Sequence, residues 1–141
     1  YHNIGLVYNS QGQYKQALEN YEKSLGMDLA VYGDVDHPDI ANCYNSIGIL
    51  YKLQGQDKQA LENYEKSLAM FQAVYGDVDH PEIATCYQNI GRTNEALGLY
   101  SAAKGYYERC LAIRISVYSS PHHPYTEKTR RLLDGVQQRV F

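Results

Sequence analysis

Three histidines, His37, His80 and His123, recur at a spacing of about 43 residues, and His122 adds a neighbour to the last. Imidazoles can ligate a transition metal or act as general bases, so the series admits both readings. Each of the three immediately precedes a proline, however, and proline is at home in the first turn of a helix. Equivalent positions in successive helical hairpins lie about 10 Å apart, too far for one ion to be shared. The histidines are therefore expected to cap or pack at helix starts, and no metal is expected.

The three cysteines, Cys43, Cys86 and Cys110, are odd in number, far apart and free of any Cys-x-x-Cys pair. They read as reduced thiols of a cytoplasmic protein. Tyrosine is abundant, with 15 residues against two phenylalanines and no tryptophan, a composition that could stack nucleic-acid bases. Most of these tyrosines nevertheless fall on repeat-core positions, where the ring is buried and the hydroxyl reaches the edge; Tyr14, Tyr100 and Tyr125 are less determined. A glycine-rich phosphate loop, a nucleophile elbow and a catalytically spaced carboxylate pair are all missing from the sequence. No catalytic residue and no cofactor is expected.

The elements that position these groups come from a chain of 141 residues, enough for one ordinary domain with a substantial core. Charges of both signs are interspersed around a formal balance of −3, so no cationic field exists to gather nucleic acid or anionic lipid. No apolar run approaches the roughly 18 residues of a membrane span, and the amino terminus has no signal-peptide pattern. The expected protein is soluble and cytoplasmic, without nucleic-acid or membrane partners. It opens at Tyr1, inside a repeat, and reads as a piece of something longer.

Offset by about 43 residues, the sequence falls into register with itself, which is the mark of a stacked-repeat protein. Gln16 to Leu25 (QALENYEKSL) recurs unchanged as Gln59 to Leu68, and Ala30 to Pro38 (AVYGDVDHP) as Ala73 to Pro81. A third, diverged copy keeps Gly91, Gly98, Ala103, Tyr107, Leu111, Tyr118, His123 and Pro124 in phase. Within each period, His-Pro opens one helix, followed by an acid at Asp39 or Glu82 that suits the positive end of the helix dipole. Glycines at 12, 55 and 98 mark a tight connection to a second helix. That helix runs to Tyr32, Tyr75 or Tyr118, and Gly33 or Gly76 supplies the stop.

Ala60, Leu61, Tyr64, Leu68 and Phe71 follow helical intervals and form a stripe that must pack on a neighbour. Gly5, Gly48 and Gly91 in the first helices, with Ala17, Ala60 and Ala103 in the second, would let the two backbones approach. A helix-interior glycine costs about 1 kcal/mol relative to alanine, so its recurrence in phase implies a packing reason. Past Pro124, Leu132, Leu133, Val136 and Val140 form an apolar stripe amid Lys128, Arg130, Arg131 and Arg139, as expected of a capping helix. The expected organisation is one array: repeat 1 over 1–37 with its first helix truncated, repeat 2 over 38–80, repeat 3 over 81–123 and the cap over 124–141.

The second repeat resembles the tetratricopeptide pattern position by position. Tyr44, Ile47, Gly48 and Tyr51 match its first helix, and Ala60, Tyr64 and Ser67 its second. The first repeat matches through Tyr1, Ile4, Gly5, Tyr8, Ala17, Tyr21 and Ser24. The third matches through Tyr87, Ile90, Gly91, Ala103 and Tyr107, with Asn94 where an aromatic is expected. The long period and the Asp-His-Pro-Asp/Glu-Ile-Ala junction are similar to the kinesin light chain and nephrocystin-like branch. The resemblance implies an all-α fold, a right-handed α-solenoid of stacked helix-turn-helix repeats, with first helices lining a concave groove.

On that pattern the groove positions are Asn42, Asn45, Ile49, Lys52 and Leu53 in the second repeat. Those of the third are Thr85, Gln88, Arg92, Glu95 and Ala96, and the first adds His2, Leu6, Asn9 and Ser10. The amides can pair with a peptide backbone, and Lys52 and Arg92 favour carboxylates. The resemblance also implies that the chaperone-tail clamp of some relatives is not reproduced, because His2 and Leu6 take its first positions. The expected function is a non-catalytic scaffold that binds a protein or linear peptide, acidic or mixed in charge. The alternative is assembly or regulation through its end faces, with homo-oligomers formed at an apolar edge of Ile4, Val7 and Tyr8.

Overall fold

The computed structural model describes residues 13–33, 35–76, 78–120 and 122–140. Six α-helices and no strand are present among the described residues: α1 Tyr14–Tyr32, α2 Pro38–Leu53, α3 Asp57–Tyr75, α4 Pro81–Ala96, α5 Tyr100–Tyr118 and α6 Pro124–Gln137. The all-α expectation holds. The expectations for Tyr1, His2, Ile4, Gly5, Leu6, Val7, Tyr8, Asn9, Ser10 and Gly12 lie outside the described residues.

The breakers act where the sequence places them. Pro38, Pro81 and Pro124 each start a helix, and the preceding His37, His80 and His123 are the N-caps. Each imidazole Nδ1 accepts a hydrogen bond from the backbone N–H two residues on, at 3.1 to 3.2 Å, satisfying a donor that would otherwise have no partner. Gly33 closes α1 with φ 63°, its N–H donating to the Leu29 carbonyl at 2.8 Å. At the corresponding end of α5, Ser119 also takes a positive φ, 54°, in the left-handed helical region, without being glycine.

The chain divides into two compact units, Tyr1–Val74 and Tyr75–Phe141. In the first, Ala17 and Tyr21 of α1 meet Ile47 and Leu50 of α2, with Tyr14, Leu18, Leu25 and Tyr51 packed around them. Gly48 faces the Tyr64 ring on α3: a Cβ there would stand 2.8 Å from two ring carbons and 3.2 Å from the Ala60 carbonyl. Ser67, fully buried on α3, donates its hydroxyl to the Ala41 carbonyl at 2.8 Å.

In the second unit α5 is the central helix, packed against both α4 and α6. Ala103, Tyr107 and Val136 form its buried cluster, flanked by Tyr100, Leu132 and Leu133. A Cβ on Gly91 would lie 2.7 Å from the Tyr107 ring, so here too the in-phase glycine makes room for a tyrosine of the second helix. Asn94, at the expected aromatic position, is buried and donates its amide to the Ile90 carbonyl at 2.9 Å.

Candidate functional site

The histidine series resolves into junction geometry. Tyr32 and His37 stack with ring centroids 3.7 Å apart, Tyr75 and His80 at 3.7 Å, and Tyr118 and His123 at 3.8 Å, all within 9° of parallel. The Tyr32 hydroxyl donates to Asp39 at 3.2 Å and that of Tyr75 to Glu82 at 3.1 Å. Each imidazole thus joins the end of one helix to the start of the next. Among the described residues no group of three His, Cys, Asp or Glu side chains is placed to hold a metal ion.

Helix α2 carries the expected binding positions of the first unit. Asn42, Asn45, Ile49 and Lys52 follow intervals of three, four and three residues, which keeps them on one side of the helix. Ile40, Ala41, Cys43, Ile47, Gly48 and Leu50 are buried on the rest. Asn42 and Ile49 are exposed and Asn45 is half-buried. Lys52 is half-buried and forms an ion pair with Asp57 at 3.0 Å, so its charge is already engaged. Leu53 is exposed.

Helix α4 treats its positions unequally. Thr85 and Arg92 are exposed, as is Ala96, and Thr85 returns its hydroxyl to the Pro81 carbonyl. Glu95 is half-buried and accepts from the Tyr107 hydroxyl at 2.8 Å. Burial, and then this bond to a carboxylate, raise the Tyr107 pKa well above the ordinary phenol value. Gln88 departs from the groove expectation: it is only 6% exposed, and its Oε1 accepts from the guanidinium of Arg114. Arg114, itself 5% exposed, also donates to Thr129 Oγ1 at 2.7 Å and to the Tyr125 carbonyl at 3.3 Å. A buried guanidinium requires acceptors, and Gln88 is one of them.

The first unit also holds a pocket of about 470 Å³ lined by Ser24, Asp28, Asp39, Asn42, Asn45 and Ser46. Asn42 and Asn45 were expected at a binding surface; Ser24 and Asp28 on α1, and Asp39 and Ser46 on α2, were not. The overlooked signal was a break in the repeat, since Asp28 stands where the second copy has Phe71 and the third has Arg114. The carboxylates make their mark on neighbours. Burial, then contact with Asp28, pushes the Cys43 thiol up to about 11 despite a lowering bond to Ser24, and burial, followed by Asp39 and Asp28, raises the pKa of Tyr32.

Two sequence profiles described as Tetratricopeptide repeat match the chain, over residues 1–73 and 83–125. None of the curated protein sequences matches it. Among solved structures, the nearly identical TPR-like repeats of a kinesin light chain from Podosopora anserina share 23% identity at a TM-score of 0.83, covering 97% of this chain and 64% of that one. BtubC (BKLC) from P. vanneervenii shares 24% at a TM-score of 0.87, over 98% of this chain and 54% of its own. The first TPR of Spaghetti (RPAP3), solved bound to the HSP90 peptide SRMEEVD, shares 21% at 0.67, over 98% of this chain and 88% of its own. This chain therefore spans less than two thirds of the length of the kinesin-light-chain-type structures that it matches. At these identities the likeness is one of fold, the all-α solenoid.

Proposed function

The chain belongs to the tetratricopeptide repeat family, and from that premise we propose that it is a non-catalytic scaffold holding a linear segment of another protein on its first-helix faces. The observation that supports the reading is the division of α2. One side of the helix is given to packing, while on the other Asn42 and Ile49 are exposed and Asn45 is half-buried. Amides can bond a peptide backbone in either direction, and an apolar neighbour such as Ile49 adds contact area. A member of the same fold class is solved with a peptide bound, which supports this mode of use.

The segment proposed is mixed in charge. Arg92 is exposed on α4 and takes a carboxylate, whereas Lys52 is already paired with Asp57. Asn42, Asn45, Ile49 and Lys52 on α2, and Thr85, Arg92 and Glu95 on α4, stand as the proposed contacts, whereas Gln88 is a buried acceptor for Arg114. Three buried thiols outside any disulfide fit a reducing, cytoplasmic setting, and among the described residues no helix is long and apolar enough to cross a membrane.

Affinity capture with the wild-type chain and with Asn45→Ala and Arg92→Ala tests the reading, the partners being identified by mass spectrometry. A specific partner captured by the wild type and lost from both variants supports it. Partners retained equally by both variants, together with concentration-dependent dimers in light scattering, would replace it with assembly through the ends of the array.

A further inference from the structure

The pocket between α1 and α2 is an exception to the repeat that made it. At one helical position the three copies carry Asp28, Phe71 and Arg114. Phe71 is 2% exposed and Arg114 is 5% exposed, so in those copies a long side chain fills its surroundings. Asp28 is short, and beside it lies a space of about 470 Å³. That volume exceeds what one or two waters occupy and suits a side chain entering from outside.

The lining sets the chemistry of the entrant. Asp28 and Asp39 bring two carboxylates, while Ser24, Asn42, Asn45 and Ser46 bring further oxygens. Among the described residues neither carboxylate has a lysine or arginine within ion-pair distance. Among the described residues Asp28 accepts from the weak Cys43 Sγ–H donor at 3.3 Å, and Asp39 accepts from the Tyr32 hydroxyl at 3.2 Å and lies 3.7 Å from His37 Nδ1. A bare metal ion is a poor fit, because no ligand set of three exists among the described residues. An extended cation with several in-plane donors is a good one.

The third copy supplies the internal precedent. There Arg114 bonds Thr129, and Thr129 holds the place that Cys43 holds beside Asp28 in the first copy. The same helical position thus accommodates a guanidinium in the second unit, drawn from the chain itself and satisfied by Gln88, Thr129 and the Tyr125 carbonyl. In the first unit the charge is reversed and the space is left open.

We propose that the Asp28–Asp39 pocket is a specificity site for an arginine side chain of the bound peptide. The proposal rests on the peptide-scaffold reading above and adds to it a required basic residue in the ligand.

The test is an amide NMR titration of the whole 141-residue chain with the capped probe Ac-Gly-Ser-Arg-Ser-Gly-NH2, and with the same peptide carrying citrulline or glutamate in place of arginine. Saturable shifts are expected at Asp28, Asp39, Asn42 and Ser46, with citrulline, which keeps the shape and loses the charge, weaker by about tenfold or more. Asp28→Asn should weaken the arginine probe by a similar factor. Asp28→Phe, which copies the second repeat, should abolish the shifts; should that variant misfold, the near-isosteric Asp28→Asn carries the result alone. Equal binding of arginine and citrulline, or shifts confined to other surfaces, would overturn the proposal. A captured partner that depends on Arg92 and Asn45 but is indifferent to Asp28→Asn would keep the scaffold reading and remove this site. An arginine probe that saturates the pocket while every partner ignores Arg92→Ala would do the reverse.

Discussion

His80 lies flat on Tyr75, ring centroids 3.7 Å apart and planes 7° from parallel, while its Nδ1 accepts the Glu82 amide at 3.2 Å. One side chain therefore caps α4 and fastens it to the last residue of α3. Removing a cap costs about 1 kcal/mol, and losing a stacked ring adds about 0.5 to 1.5 kcal/mol. His80→Ala should lower stability by about 2 kcal/mol in urea denaturation followed by circular dichroism, and His80→Asn, which keeps a capping acceptor, should recover about half. Equal losses for the two variants would show that the cap contributes nothing.

Gly91 should reject even a methyl group. Alanine would raise helix propensity by about 1 kcal/mol, yet its Cβ would stand 2.7 Å from the Tyr107 ring, which is itself fully buried and bonded to Glu95. Overpacking of this kind costs about 1 to 3 kcal/mol, so clash outweighs propensity. Gly91→Ala is expected to be destabilised by up to about 2 kcal/mol, while Gly105→Ala, where nothing lies within 4 Å of the added carbon, is expected to gain stability. A stabilised Gly91→Ala would mean that the ring shifts without strain.

These two sites show what a repeat makes legible. Prolines and glycines announce helix ends because their backbone limits act locally, and the capping histidines follow from proline at the first helical position. Recurrent Gly48 and Gly91 signal close packing, although the contact is with Tyr64 and Tyr107 rather than with the alanines alone. Positions where the copies differ are harder to read. Nothing local distinguishes Gln88 from Asn45; only the arginine 26 residues later, brought alongside by the fold, turns the former into a buried acceptor. Asp28 was missed for the same reason, since its meaning depends on the space that Phe71 and Arg114 fill in the other copies.

The Cys43 thiol should be unreactive in the native chain. It is fully buried, and its pKa rises from an ordinary 9.0 to about 11 through burial first and the Asp28 carboxylate after it. Thiolate is the nucleophile, so labelling with a disulfide reagent at pH 8 should be slow for Cys43 until denaturant is added. Because the folded value lies above the unfolded one, this group's contribution is fully present below about pH 9 and is lost as pH rises towards 11. Stability should therefore fall across that alkaline window, and Cys43→Ala should flatten that part of the profile. Rapid native labelling at pH 8 would contradict the burial.

Gln88 and Arg92 stand one helical turn apart on α4, yet substitutions there should fail in opposite ways. Gln88→Ala removes an acceptor from a guanidinium that is 5% exposed, leaving Arg114 with Thr129 and the Tyr125 carbonyl. An unsatisfied buried donor costs about 1 to 3 kcal/mol, and with a charged donor the loss should fall in the upper half of that range. Arg92 is exposed, and Arg92→Ala should change stability by no more than about 0.5 kcal/mol while weakening a carboxylate-bearing ligand. The double variant Gln88→Leu with Arg114→Leu, which removes both polar partners together, should be more stable than Gln88→Leu alone, because Arg114 is no longer left in an apolar setting. Chemical denaturation of the four variants checks the set. If Gln88→Ala were as harmless as Arg92→Ala, Gln88 would revert to a surface position and the bond to Arg114 would carry no weight in the fold.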